Sequence, residues 1–453
     1  RERRCGAITP MIEVMGFLAP FIVKYQKPKG TADILPQEAQ LWDEVEAKSR
    51  EVFRRYRYGE IRVPLFESYD LYARSSGDTS DIVTKEMYDF NDKGGRHMAL
   101  RPEGTAGVVR AYVENKLYGP EFPKPYRVYY MGPMFRYERP QSGRQREFHQ
   151  IGVEAFGSDS PLLDAETIQL GVDLLHSVGV HDLRLAINTL GDPETRQAYH
   201  QALVDYFTPH KAELSEDSQI RLAKNPLRIL DSKDPQDKPL VADAPSILDY
   251  LTPAAQAHFS VVKESLDKLG IAYVVDPTMV RGLDYYNHTI FEIMTTSPAF
   301  GNKELTVLAG GRYDGLVEQV GGPALPGVGF GLGTERLMLL VQHNRPAEVA
   351  APLNVYIASL SEPAGAEALV LAHAIREAGY TVDMDFLNRK AKSQFKTANR
   401  ENAQLVITLG EDELAHSAAS IKQMATGQQI QVPFAEVTTE FHKIYQQLVE
   451  EGK

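Results

Sequence analysis

The run Gly327-Val-Gly-Phe-Gly-Leu-Gly333, with a glycine at every second position, is the feature that most restricts the fold of this chain. It reads as an apolar strand. Small residues along a strand let a flat ligand lie close to the backbone. Helical spacing follows over Thr334–Val341, with Arg336 one turn in. The run is not a dinucleotide fingerprint, because the residue three past Gly329 is Leu332 where glycine is required. No G-x-x-x-x-G-K-[ST] occurs either. Any phosphate binding therefore falls to arginine, whose planar fork donates two bonds and keeps its charge.

A second arginine-rich stretch runs from Phe135 to Gln150. It reads as two strands around a loop holding Pro140, Ser142 and Gly143, a long antiparallel hairpin. From there Arg136 can grip an α-phosphate, Arg144 can reach terminal phosphates, and Phe148 can stack on adenine. Each stretch, taken alone, is equally a solvated basic surface.

Upstream, Pro36 suits a helix start. Leu41, Val45, Val52 and Tyr56 keep helical spacing to about Tyr58, and a short strand, Glu60–Val63, ends at Pro64. Tyr126–Met131 and Ile151–Phe156 read as strands and Pro161–Val178 as a helix. Residues 192–272 are polar, helix-rich and punctuated by proline from Pro193 to Pro253, the texture of an insertion. Strands resume at Ile271–Val275 and Thr289–Met294. After a linker, Val355–Ser359, Tyr380–Met384 and Leu405–Leu409 read as strands alternating with helices Glu362–Ala378 and Lys390–Asn402, a small α/β domain. The division expected is a main domain over 23–345, a linker over 346–352 and the α/β domain over 353–453. Residues 1–22 read as a disordered leader or as sequence upstream of the native start. Their apolar stretch, broken by Glu13 and Pro20, is too interrupted to span a membrane.

A net charge of −12 excludes a general nucleic-acid-coating protein, so RNA binding requires a local basic cluster. One exists: Arg389, Lys392, Lys396 and Arg400 fall on one face of the expected helix, and no acidic residue interrupts 389–400. The single cysteine, Cys5, excludes an internal disulfide and a cysteine-rich zinc site, and fits a reducing compartment.

In order, a helix and strand ending in proline, a hairpin opening F-R-x-E, and a Gly-rich strand with an arginine-bearing helix resemble the three motifs of class II aminoacyl-tRNA synthetases. Val280-Arg-Gly-Leu-Asp-Tyr-Tyr286 and Ala309-Gly-Gly-Arg-Tyr-Asp-Gly-Leu316 resemble the two histidine-specific motifs of the histidyl-tRNA synthetase family. The opening KPKGTADILP and Leu100–Thr105 resemble it too, and the likeness covers about residues 24–453. It implies an α+β fold: a class II catalytic domain, with an antiparallel sheet flanked by helices and a helical insertion, plus a C-terminal α/β anticodon-binding domain. ATP with Mg2+, L-histidine and histidine tRNA are then the implied substrates, without zinc. A cytoplasmic homodimer is implied as well, its interface formed by the first-motif helix and strand. Arg136, Arg144, Phe148 and Arg336 would bind ATP. Glu103, Gly104, Thr105 and Gln150 would receive the amino end of histidine. Glu154 and Tyr286 would hold the imidazole, with Tyr285 and Tyr313 closing the pocket. Arg281 would stand at the carboxylate and α-phosphate and act in catalysis with Arg136. Gln141 would approach the tRNA acceptor end, and the Arg389, Lys392, Lys396 and Arg400 face would hold phosphates. Nothing in the sequence selects the Mg2+ ligands. A sister synthetase for another small or polar amino acid is one rival reading, opposed by the RGLDYY and GGRYDGL segments; a regulatory paralogue without charging activity and a plain RNA-binding module are the other two. The intact arginines and the C-terminal domain weigh against both.

Overall fold

The computed structural model describes residues 25–76, 80, 82–140, 143–345 and 353–450. The leader expected over 1–22 and the linker expected over 346–352 lie outside them. The chain divides into two compact units, Arg1–Pro346 and Ala347–Lys453.

In the first unit, α1 (Pro36–Arg55) starts at its proline and turns Trp42, Val45, Ser49, Val52 and Phe53 to one buried side. β1 (Gly59–Glu60) is shorter than the strand expected there. Pro64 has no N–H to extend the ladder, and the Val63 carbonyl accepts from Arg101 Nη1 at 3.1 Å instead. β2 (Phe66–Ser68), α2 (Tyr69–Ser76), β3 (Asp89–Asn91) and β4 (His97–Leu100) make a small antiparallel sheet with its helix, ahead of α3 (Thr105–Glu114). β5 (Tyr126–Phe135) and β6 (Glu147–Phe156) form the expected long hairpin, in register from Tyr126↔Phe156 to Phe135↔Glu147. There follow α4 (Pro161–Ser177), β7 (Arg184–Thr189), α5 (Pro193–Phe207), α6 (Glu216–Lys224), α7 (Lys238–Ala242), α8 (Pro253–Leu269) and β8 (Tyr273–Val275). β9 (Asn287–Ser297), β10 (Lys303–Arg312), α9 (Leu316–Gln319), β11 (Gly327–Gly333) and α10 (Thr334–Asn344) complete the unit.

Eight strands form its main sheet, in the order β1-β5-β6-β11-β10-β9-β7-β8. The inner strands are antiparallel, as expected, whereas the edge strands β1 and β8 lie parallel to β5 and β7. Alternation along β11 divides its side chains. Val328, Phe330 and Leu332 enter a core shared with α1, α4, α8 and α10, and the four glycines face the other way. The segment expected as one insertion behaves as two. α5 buries Tyr199, Leu203 and Phe207 on the glycine side, together with Tyr285 and Tyr286. α8 spaces Phe259, Val262 and Leu266 at helical intervals and packs them beside α4 in the main core. Between the two, the buried Asp237 carboxylate gathers Ser215 N at 2.8 Å and the hydroxyls of Ser215, Ser218 and Ser232.

The second unit carries β12 (Val355–Ser359), α11 (Glu362–Glu377), β13 (Val382–Met384), α12 (Ala391–Arg400), β14 (Leu405–Leu409), α13 (Glu411–His416), β15 (Ala418–Gln423), β16 (Gln429–Pro433), α14 (Phe434–Thr439) and α15 (Phe441–Tyr445). Its sheet runs β13-β12-β14-β15-β16. The three strands joined by helices are parallel, as alternation demands, and β15 and β16 add an antiparallel edge. Among the described residues, no helix is long and apolar enough to cross a membrane.

Candidate active site

The glycine side of β11 ends at a cavity of about 170 Å³. Arg136, Arg144, Phe148 and Arg336, all four residues expected at the nucleotide, line it together with Glu138, Val307, Gly333 and Glu335. Strand parity accounts for the first and third. Met134 pairs with Phe148 across the hairpin, and Arg136, two residues further on, keeps the same side. Arg136 Nε donates to the Pro102 carbonyl at 2.8 Å, and its guanidinium carbon lies 5.3 Å from the Phe148 ring centre. Arg336 is aimed by a bond from Nη1 to the Thr306 carbonyl at 2.8 Å. Beside that carbonyl, a register shift between Thr306 and Leu308 leaves Val307 outside the ladder and in the cavity wall. Glu138 stands 3.3 Å from Arg144 and 3.9 Å from Arg136. Glu335 ties α10 to β6, accepting from His149 N at 2.8 Å and meeting His149 Nδ1 at 3.0 Å.

A chain of contacts leads from this cavity to Arg281. Thr306 Oγ1 donates to Glu292 Oε2 at 2.8 Å, and Arg281 Nη1 donates to Glu292 Oε1 at 2.7 Å. Arg281 is partly buried, with its guanidinium carbon 5.4 Å from the Tyr286 ring centre and its Nε without a partner among the described residues. Burial opposes the Arg281 charge, but Tyr286 and Glu292 outweigh it and raise its pKa. Sequence reasoning passed over Glu292. Its only signal was its place in a strand six residues past Tyr286.

Further along the glycine side, Glu154 pairs with Gly329 in β6·β11. It is almost fully buried and holds both oxygens in use. Thr105 Oγ1 donates to Oε1 at 2.6 Å, and the Tyr313 hydroxyl donates to Oε2. Burial pushes its pKa up to about 8 against those two bonds. Tyr285, Tyr286 and Tyr313 cluster there, their ring centres 4.6 to 6.4 Å apart. Tyr286 and Glu154 are close enough to interact electrostatically. Gln150 sits between this cluster and the cavity, opposite Gly333. Each of the Glu154 oxygens keeps a second acceptor site beside the hydroxyl it already meets.

Glu103 and Thr105 are likewise engaged within the protein. The first turn of α3 leaves N–H groups without helical partners. The Glu103 carboxylate satisfies two of them, Thr105 N at 2.6 Å and Ala106 N at 2.9 Å. Burial raises the Glu103 pKa, and these backbone bonds oppose the rise. Gly104 has a packing reason: a Cβ there would lie 2.2 Å from the Tyr130 ring. Tyr130 was missed in the sequence. It fills the space over Gly104 and Gly152, both stripped of side chains to admit it. Behind the sheet, fully buried Arg312 binds Asp164 through Nε at 2.9 Å and Asp314 through Nη1 at 3.2 Å. It thereby fixes the residue next to Tyr313 to α4.

The expected RNA contacts fare unevenly. Gln141 lies outside the described residues. Lys392 and Lys396 are exposed on α12. Arg389 is corrected: it precedes the helix and is held by Asp385 and by Thr397 Oγ1 at 3.0 Å, so it does not extend the helix face. Arg400 is exposed beside Glu401 at 3.1 Å.

A sheet antiparallel through its interior, with arginines from a hairpin and from the helix after a glycine strand meeting at one cavity, defines the class II aminoacyl-tRNA synthetase catalytic domain. Comparison with known proteins narrows the class. The family described as Histidyl-tRNA synthetase matches residues 30–337, and the Anticodon binding domain family matches residues 354–444. A Histidine--tRNA ligase of Levilactobacillus brevis is 64% identical over 93% of this chain and 98% of its own length. One of Lacticaseibacillus casei is 62% identical over 94% of this chain and 100% of its own. The crystal structure of apo S. aureus histidyl-tRNA synthetase matches with a TM-score of 0.78 at 38% identity, over 92% of this chain and 99% of that one. The chain belongs to the histidyl-tRNA synthetase family.

Proposed function

We propose that this protein activates L-histidine with ATP and transfers the histidyl group to the 3′ end of histidine tRNA. In the first step a carboxylate oxygen of histidine attacks the α-phosphorus. The bond to the bridging oxygen breaks, and pyrophosphate leaves a histidyl-adenylate. In the second step a ribose hydroxyl of the tRNA attacks the activated carbonyl, AMP leaves, and the hydroxyl proton is released. The observation that carries this reading is the linked path Arg336–Thr306–Glu292–Arg281 between the arginine cavity and the tyrosine cluster.

Arg136 and Phe148 take the α-phosphate and adenine, and Arg144 and Arg336 take the terminal phosphates. Arg281 directs its unpartnered Nε–H at charge developing on the α-phosphoryl oxygens. Gln150 and the Glu103–Thr105 turn border the amino end of histidine. The Tyr313 hydroxyl gives up one Glu154 oxygen to an imidazole N–H, Tyr286 serves the other nitrogen, and Tyr285 completes the wall. ATP arrives with Mg2+. Such an ion keeps mostly phosphate and water ligands, and Glu138 and Glu292 are carboxylates of the kind that supply the rest.

Gln141 meets the acceptor end of the tRNA, and Lys392, Lys396 and Arg400 meet its phosphates, with Arg389 bracing them. The catalytic domain takes residues 23–345 and the anticodon-binding domain residues 353–453, with 346–352 joining them. The protein works in the cytoplasm; it works as a homodimer, a reading that the exposed Leu65, Phe66 and Phe90 support as apolar surface for a second copy.

Arg281→Ala tests the catalytic reading. Adenylate formation, followed as histidine-dependent exchange of pyrophosphate into ATP, should fall by at least about 10²–10³, as it does when an oriented charge donor is lost. Histidine affinity should change much less. A near-normal exchange rate refutes the role.

A further inference from the structure

The loop that carries Arg281, Tyr285 and Tyr286 does not hold itself. Among the described residues, 280–286 make no backbone–backbone hydrogen bond, and nothing fills the space where a Gly282 side chain would stand. Side chains from elsewhere hold it by its carbonyls. Asn188 Nδ2, at the end of β7, binds the Met279 carbonyl at 3.0 Å, where the loop begins. Arg196 Nη1, on α5, binds the Tyr286 carbonyl at 3.3 Å, where it ends. Arg228 and Asn225 grip the middle. Arg228 Nη2 donates to the Gly282 carbonyl at 2.7 Å and to Asp284 Oδ1 at 3.0 Å, and Asn225 Nδ2 donates to the same Asp284 oxygen at 3.3 Å.

Arg228 belongs to a short 3-10 turn, Pro226–Ile229, set against α6, well away in sequence from the arginine cavity and not among its lining residues. Its acceptors bracket the active loop, since Gly282 directly follows Arg281 and Asp284 directly precedes Tyr285. Arg281 reaches Glu292 through Nη1 at 2.7 Å, so the placement of its backbone sets whether that bond forms. Both Arg228 bonds leave one nitrogen, Nη2, whose two N–H bonds are fixed in the guanidinium plane, so the pair sets orientation as well as position, which a freely rotating ammonium does not.

We infer that Arg228 is a positioning residue for the activation step: the helical segment after β7 reaches over and fixes the 280–286 backbone so that Arg281 meets Glu292 and the phosphate cavity. Arg228 touches no reacting atom. It acts through Arg281, and the inference therefore rests on the catalytic reading of Arg281 given above. It also makes the rate of activation depend on how the helical segment sits.

A double-mutant cycle on the full-length protein tests this, with histidine-dependent pyrophosphate exchange as the readout. Arg228→Ala should lower the exchange kcat by about 10-fold to 100-fold, the scale of a misplacement near 1 Å, with a smaller change in KM for ATP. Arg228→Lys keeps the charge but loses the fixed planar N–H pair, and should recover part of that loss while folding normally by circular dichroism. In an Arg281→Ala background, Arg228→Ala should cost almost nothing more. If Arg281→Ala is slow and Arg228→Ala still imposes its full factor on top, the positioning inference is overturned while the catalytic reading stands. If Arg281→Ala itself is near normal, the catalytic reading fails first and this inference with it. An Arg228→Lys protein that folds normally and is no faster than Arg228→Ala overturns the positioning role in favour of a bulk structural one.

Discussion

Replacing Glu154 by glutamine should make the folded protein more stable in mildly alkaline solution while abolishing its activity. The carboxyl is almost fully buried, and burial raises its pKa from 4.5 to about 8. An unfolded chain releases this proton near pH 4.5, whereas the folded chain keeps it to about pH 8. Between those values the folded state binds the extra proton, so stability falls as pH rises through the window. Below it the group contributes no penalty. At 1.36 kcal/mol for each pH unit the full penalty above pH 8 is ~4–5 kcal/mol, and relaxation around the charge leaves at least ~2 kcal/mol measurable. A glutamine amide is neutral throughout. Its oxygen still accepts from Thr105 or Tyr313, so Glu154→Gln should lose the slope and keep the packing. Trp42 offers the assay. It is the only tryptophan in the chain and is buried in the core of the first unit, so its fluorescence during urea unfolding reports that unit. Wild type and variant should unfold at similar urea concentrations at pH 5 and diverge toward pH 8, the variant being the more resistant. Parallel midpoints from pH 5 to pH 8 would refute the reasoning, because the titrating group would then lie elsewhere.

Two further outcomes follow from the same geometry. Gly329→Ala puts a Cβ 2.2 Å from the Val153 carbonyl oxygen, which is backbone and cannot rotate away, so the Trp42 unfolding curve should show ~1–3 kcal/mol of lost stability and pyrophosphate exchange should fail. Replacing Lys392 and Lys396 together by alanine should lower the slope of log tRNA affinity against log salt by about 1–2, measured by filter binding over a salt series, because each lysine neutralises about one phosphate.

Much of this was legible from residue order because period and punctuation are local. α1, the β5·β6 hairpin, the glycine strand and the parallel strands of the second unit all announce themselves through spacing, proline and glycine. The convergence of Arg136, Arg144, Phe148 and Arg336 at one cavity was legible too, through the resemblance of their motifs. What sequence could not show was competition for partners. Glu103 looks like an open acceptor until α3 claims both its oxygens, and Arg389 looks like part of a helix face until Asp385 captures it. Both are settled by neighbours that must fold first. Tyr130 and Glu292 were missed because strand side chains acquire meaning only from the strand across the ladder, and the register is not written in either segment alone. The division of 192–272 was missed for a similar reason: polar texture dominates the segment, and only the few apolar positions of α8 return to the main core.

The glycine side of β11 also bears on how this gene can drift. Every change in the first or second base of a glycine codon that still encodes an amino acid installs a Cβ. At Gly327 and Gly329 that atom would fall 2.4 Å from the Tyr313 ring and 2.1 Å from the Glu154 carboxylate. At Gly331 and Gly333 there is room, with only Gln150 Nε2 near the former, at 3.9 Å. Sequence variation should therefore be purged at the first two codons and tolerated as alanine or serine at the last two, so one short strand would carry two very different mutational loads.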